Sequence, residues 1–208
     1  MNFSKFNRQA LSDAFSFYAR ALNYPYDEQR HEFQNIFRTI EKNIENEYDN
    51  TLATRILDIL NTYQGEEMKE LQTEYTRLFT PRGETKPSIS LRLGDWLPDG
   101  DLAALEERLY DVGVSVYSSE YPDFISHVLE YFASILPYED ETWIEDFFRK
   151  YLEKPIPLLT QKIYKESNLN FYKEYAKGLH DLIQLIGEAL ESNEDSLDNE
   201  IFNGPLSD

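Results

Sequence analysis

Apolar side chains recur every three to four residues along most of this chain, and proline or glycine closes many of the runs. Such spacing places one apolar stripe on one face of a helix. Residues 6–22 show it through Phe6, Ala10, Ala14, Phe17, Tyr18, Ala21 and Leu22. Asn23-Tyr24-Pro25 ends that run, because the residue before a proline is pushed out of the α region. The same period predicts helices over about 27–48, 51–63, 66–79, 101–112, 122–136, 140–152, 158–166 and 170–191. No stretch shows a convincing period of two, and no internal repeat is visible. The expected fold is therefore all-α: a single-domain bundle of about eight to ten helices around one core.

Two segments break the pattern. Residues 80–99 contain three prolines and two glycines and have no helical period. A loop of that length inside a compact domain is often functional or mobile, and the other reading is a surface connection of no special role. Residues 192–208 are acidic and poor in apolar side chains, so the helical domain is expected to span 1–191 and the tail beyond it to be disordered. Pro122 is placed in the first turn of its helix, with Asp123 behind it at the positive end of the dipole.

Composition removes several function classes. The 208 residues carry a formal charge of −19, which leaves little to neutralise phosphates and argues against a nucleic-acid partner. There is no cysteine, hence no disulfide, thiolate metal site or cysteine nucleophile. No run is apolar for long enough to cross a membrane, and the first residues lack the pattern of a signal peptide, so a cytoplasmic protein is expected. The charge is also local. Residues 98–148 hold 13 acids against Arg108, residues 188–208 hold seven acids and no base, and the remainder is neutral.

Catalytic signatures are scarce. The chain has no H-E-x-x-H, G-x-S-x-G, P-loop or G-x-G-x-x-G pattern. Asp123, His127 and Glu130 would share one helical face, read either as a solvated polar face or as an acid/base or metal cluster. Glu28-x-x-His31 occurs once, where a two-metal bundle uses the motif twice. We therefore expect no enzyme, no cofactor and no metal, with a metal-dependent helical enzyme as the alternative. The other use of a helical domain is to hold a peptide in a groove. Aromatics at the breaks (Tyr24, Tyr26, Trp96, Tyr117, Tyr121, Tyr138) suggest an apolar groove edged by the acidic segment, suited to a peptide with a basic end. A generic helical adaptor remains a further alternative.

Several motifs resemble those of the TorD/DmsD/NarJ family of redox-enzyme maturation chaperones. They are Phe17-Tyr18-Ala19-Arg20-Ala21-Leu22 followed by Tyr24-Pro25, Glu74-Tyr75-Thr76-Arg77-Leu78-Phe79, Tyr121-Pro122-Asp123 followed by Leu129-Glu130-Tyr131-Phe132-Ala133, and Phe171-Tyr172. The chain departs from the family pattern at Phe124, Val128 and Pro87-Ser88-Ile89-Ser90. The resemblance implies a TorD-like, all-helical cytoplasmic chaperone, monomer or homodimer, with the 80–99 loop as the hinge if helices are exchanged. Its partner would be the catalytic subunit of a molybdopterin-dependent oxidoreductase, bound through its twin-arginine signal peptide and held for cofactor insertion before export. The implied peptide-binding residues are Tyr18, Tyr75, Leu78, Phe79, Pro87, Pro122, Asp123 and Glu130. His127 joins them as a neighbour of Asp123 and Glu130 on the expected helix face. Leu78 and Phe79 are also read as plain core, Pro122-Asp123 as a helix start, and Arg77 as a surface charge or internal ion-pair partner.

Overall fold

A computed structural model describes residues 5–81, 83, 85–97, 102–111 and 121–202, the side chains of 106, 110, 111 and 192–202 excepted. The described residues form nine α-helices and no strand. In chain order they are α1 (Arg8–Ala21), α2 (Gln29–Lys42), α3 (Glu47–Gly65), α4 (Met68–Phe79), α5 (Leu102–Asp111), α6 (Ile125–Ile135), α7 (Glu141–Tyr151), α8 (Pro155–Glu166) and α9 (Asn170–Phe202). The all-α expectation holds. Residues 98–101 and 112–120, which include the expected helix boundaries at Asp101, Val112 and Gly113 and the aromatic Tyr117, lie outside the described residues.

Helix boundaries follow local chemistry where the apolar period was ambiguous. Helix α2 stops at Lys42, short of the expected 48, and Asn46 starts α3 by accepting a hydrogen bond from Asp49 N–H. Asp49 is buried and accepts from the Asn7 and Glu45 N–H groups, which ties the start of α1 to the start of α3. Helix α8 begins at Pro155 rather than 158, because proline is tolerated where no N–H is needed. Helix α9 runs to Phe202, past the expected end at about 191. No proline or glycine interrupts the chain after Gly187 until Gly204-Pro205, so the loss of apolar residues alone does not stop the helix. Residues 203–208 of the expected tail lie outside the described residues.

Helix α1 is central. It packs against α6, α2 and α3, while α9 packs against α8 and α3. Phe15 meets Phe132 edge to face at 4.8 Å, and Ser12 Oγ donates to the Ala133 carbonyl across the same α1–α6 seam. On the other side of α1, Tyr18 is buried against α9, where Tyr175 Oη donates to the Tyr18 carbonyl at 3.1 Å. Gly178 makes that approach possible: a Cβ there would lie 2.7 Å from Tyr18 Oη and 2.9 Å from Ile59 Cδ1.

The E-Y-x-x-L-F segment is the clamp that fixes α4 to the turn between α8 and α9. Glu74, 6% exposed, receives both Arg77 Nε and Nη2 at 2.7 Å. It also accepts from the Asn168 N–H at 2.6 Å and from Ser167 Oγ. Arg77 Nη2 reaches on to the Glu166 carbonyl, one of the unpaired carbonyls at the end of α8. Just before α4, Glu66 accepts from Phe171 N–H at the start of α9. Arg77 is thus the internal ion-pair partner, not a free surface charge. Burial alone would raise the Glu74 carboxyl, but Arg77 and the Asn168 N–H outweigh it and hold its pKa below the ordinary value.

The sign of the pH effect follows. A depressed folded pKa stabilises the fold above the unfolded value, and that contribution is lost as pH falls through the folded value. Glu74→Gln should therefore cost about 2–3 kcal/mol at neutral pH. The difference from the parent protein should shrink in acid. Denaturant melts at pH 7 and pH 3 check both statements, and an unchanged gap would contradict the clamp.

Candidate functional site

Residues 89–93 of the expected loop are anchored rather than looped out. Ile89 and Leu93 are fully buried, and Ile89 N–H donates to the Leu78 carbonyl. Leu93 N–H donates to Asp123 O, Ile125 N–H donates to Leu91 O, and Arg92 and Phe124 form an isolated antiparallel bridge. A single 3-10 turn, Leu93–Asp95, follows. These bonds bind the segment across the end of α4 and the start of α6.

They also explain a displaced helix start. Helix α6 begins at Ile125, with Pro122 and Asp123 in the turn before it and Phe124 extended at the cap position. The carboxylate of Asp123 does not face a helix dipole. It is fully buried, accepts from Arg92 Nε at 3.1 Å and from Gly94 N–H at 3.2 Å. Gly94 allows this close approach, since a Cβ there would lie 3.2 Å from Asp123 Oδ2. Arg92 in turn lies over the Tyr121 ring, 4.0 Å from its centroid. Asp123 thus positions Arg92, and Arg92 positions Tyr121.

The result is a cleft of about 800 Å³ between the end of α4, the anchored segment and the turn before α6. Tyr75 and Phe79 pack at 5.0 Å and form one wall, with Pro81 and Pro87 beside them. Trp96, Tyr121 and Phe124 form the other. Trp96 is oriented by its Nε1–H, which donates to the Ser90 carbonyl at 3.0 Å. Such a concave aromatic lining with a few polar groups suits an extended apolar ligand.

Three of the nine expected site residues, Tyr75, Phe79 and Pro87, line this cleft. Pro122 and Asp123 support it from behind. Leu78 is fully buried in the core. Tyr18 lies elsewhere, on a separate small cleft between α3 and α9 with Arg55 and Asp181, and burial pushes its phenol far up. His127 stands next to Phe124 on α6, with ring centroids 5.9 Å apart. Glu130 sits further along α6 and pairs with Arg20 at 3.6 Å. Its Oε2 is turned inward without a hydrogen-bond partner, and burial raises its carboxyl despite Arg20. Asp123 precedes the helix, so it does not share a helical face with His127 and Glu130 as the spacing suggested. Among the described residues no three of His, Asp or Glu converge on one metal position.

Among the described residues the cleft lacks the expected acidic edge. No described acid of 98–148 lines the cleft; its lining charges are Lys86, Arg92, Asp95 and Lys162. The exposed acids Glu139 and Asp140 lie in the α6–α7 turn, at the opposite end of a helix about 16 Å long, and Asp146 follows on α7. Lys86, Arg92, Asp95 and Lys162 were not singled out by the sequence reading. The proline-rich break pointed to the first three, whereas Lys162 on α8 carries no local signal.

Asp123→Ala should leave Arg92 and the Gly94 N–H without their acceptor and cost about 1–3 kcal/mol. The emission of Trp96, two residues from Gly94, should shift with it. Glu130→Gln should leave the melting temperature at neutral pH no lower than that of the parent, because it removes a carboxylate that burial disfavours.

The comparisons with known proteins agree with this architecture. The family model for the nitrate reductase delta subunit matches residues 41–165, more than half of the chain. A crystal structure of a candidate redox enzyme maturation protein from Archaeoglobus fulgidus superposes with a TM-score of 0.52 at 20% identity, covering 83% of this chain and 93% of that one. That likeness shows a shared fold. No curated protein matches the sequence. Among the described residues no helix is long and apolar enough to cross a membrane. On the extent of the family match, the chain belongs to the nitrate reductase delta subunit family, the NarJ/TorD-like family of redox-enzyme maturation chaperones.

Proposed function

We propose that this chain is a cytoplasmic, non-catalytic chaperone for a molybdopterin-dependent oxidoreductase. It binds the N-terminal twin-arginine signal peptide of the catalytic subunit and holds that subunit until its cofactor is inserted. The helical body to about residue 191 acts as one chaperone domain, as a monomer or a homodimer.

The observation that carries this reading is the aromatic cleft between Tyr75/Phe79 and Trp96/Tyr121, within a chain of this family. An extended peptide laid there buries its apolar run between two aromatic walls. Each 100 Å² of apolar surface removed from water supplies about 2.5 kcal/mol, offset in large part by ordering the peptide. The walls are already held by the Arg92–Asp123 pair and the Trp96–Ser90 bond, so little further ordering of the protein is needed. The exposed acids at the far end of α6 supply a favourable surface for the basic residues of the same leader. An extended chain covers the distance along α6 in about five residues.

Calorimetry with synthetic leader peptides of the organism's molybdoenzymes tests this directly. Trp96→Ala and Tyr75→Ala should each weaken binding about tenfold or more while leaving the helical signal unchanged. Failure of every such leader to bind at low salt would sink the proposal.

A further inference from the structure

Among the described residues, the lining of the cleft is basic although the chain is acidic. The protein has 39 acidic and 20 basic residues, yet the described lining of its aromatic cleft carries three cations and one acid. Two of those four charges are already engaged. Asp95 accepts a short hydrogen bond from Ser90 Oγ, and Arg92 is neutralised by Asp123 and covers Tyr121. The ammonium groups of Lys86 and Lys162 remain. Lys86 is exposed, and Lys162 has only a loose contact with Glu166 at 3.9 Å. Arg82, Glu84, Asp99, Asp101 and Glu120 lie outside the described residues.

Lys86 also belongs to a polar niche that opens beside the aromatic walls. Its other sides are Arg77, Thr80, Thr85 and Ser88, around about 300 Å³. Arg77 is balanced by Glu74, so the niche offers hydroxyl groups and one ammonium. A carboxylate entering it meets a cation and hydroxyl donors. A guanidinium entering the same cleft meets Lys86 and Lys162 and finds Asp95 as the nearest lining acceptor, itself already bonded to Ser90.

We infer that the cleft selects a client segment that is apolar and carries a carboxylate, and that the arginine pair of the leader lies outside it. This rests on the chaperone reading above and deepens it. The aromatic walls take the apolar run, the Lys86 niche takes the carboxylate and fixes the direction of the segment, and juxtaposition of like charges keeps the arginines out. The −19 net charge does not contradict this, because a lysine at contact distance acts inside the screening length that damps the rest of the surface.

The test uses the full chain and three short capped peptides that share one Leu/Ala/Phe run and end in Glu-Glu, Gln-Gln or Arg-Arg. Binding is read by Trp96 fluorescence and by calorimetry. The Glu-Glu peptide should bind about fivefold or more tighter than the Gln-Gln peptide, with Arg-Arg weakest. In Lys86→Gln and Lys162→Gln the gap between the Glu-Glu and Gln-Gln peptides should close. A preference for Arg-Arg, a gap that survives both substitutions, or no binding of any peptide overturns the inference. Retention of a full-length molybdoenzyme catalytic subunit through its N-terminal segment is measured in parallel. A chain that retains the subunit without the charge preference refutes only this inference. A chain that does not retain it refutes the chaperone reading.

Discussion

The buried Glu74 carboxylate is the interaction on which the rest of this structure depends. Its two oxygens gather Arg77, Ser167 and the Asn168 N–H, and through Arg77 they reach the last turn of α8. A carboxylate this deep is unfavourable unless it is both paired and hydrogen-bonded, and here it is both. The pairing therefore does more than add stability. It fixes the roll of α4, and the roll of α4 decides that Leu78 points into the core while Tyr75 and Phe79 face the cleft. One buried charge, held by an arginine three residues away, sets which side of α4 meets a ligand.

A second buried carboxylate does the same for the opposite wall. Asp123 holds Arg92 and the Gly94 N–H, so the 3-10 turn and the start of α6 are fixed to one another. Tyr121 is then positioned by the guanidinium above it rather than by core packing, which explains how a ring that is 52% exposed keeps a defined place. The cleft is thus built between two buried acids that do not line it. Part of the acidity of this chain is structural, and the acids concerned are not available to recognise a cationic leader.

That distinction marks what the sequence could reveal. The apolar period identified the helices, because burying one stripe is the largest driving force in an all-helical domain and leaves a regular trace. It misplaced the ends of α2, α6 and α9, where the decision lies with single side chains. Asn46 caps α3, Asp123 prefers Arg92 to a helix dipole, and nothing stops α9 before Gly204-Pro205. The motifs of the family were readable, but their roles were not. Glu74 and Arg77 hold the fold, Leu78 is core, and only Tyr75 and Phe79 of that motif line the cleft. Whether a motif residue supports a site or contacts its ligand depends on a rotation of about 100° per residue around the helix axis, and a list of letters does not carry that angle.

Charge shows the same limit most sharply. Counting by segment located the acidity in 98–148 and in the tail, and adjacency in sequence suggested an acidic groove. In three dimensions the segment divides. Tyr121 and Phe124 join the cleft, Asp123 turns inward, and the exposed Glu139 and Asp140 lie one helix length away. Lys86 and Lys162, separated by 76 positions, come to line one cleft because α8 packs on α9 and α9 is clamped to α4. Neutral stretches of a chain can thus assemble a basic cleft in an acidic protein. For a binding protein of this kind, the sign of charge at the ligand is set by which helices are neighbours, and net charge describes only the surface that remains.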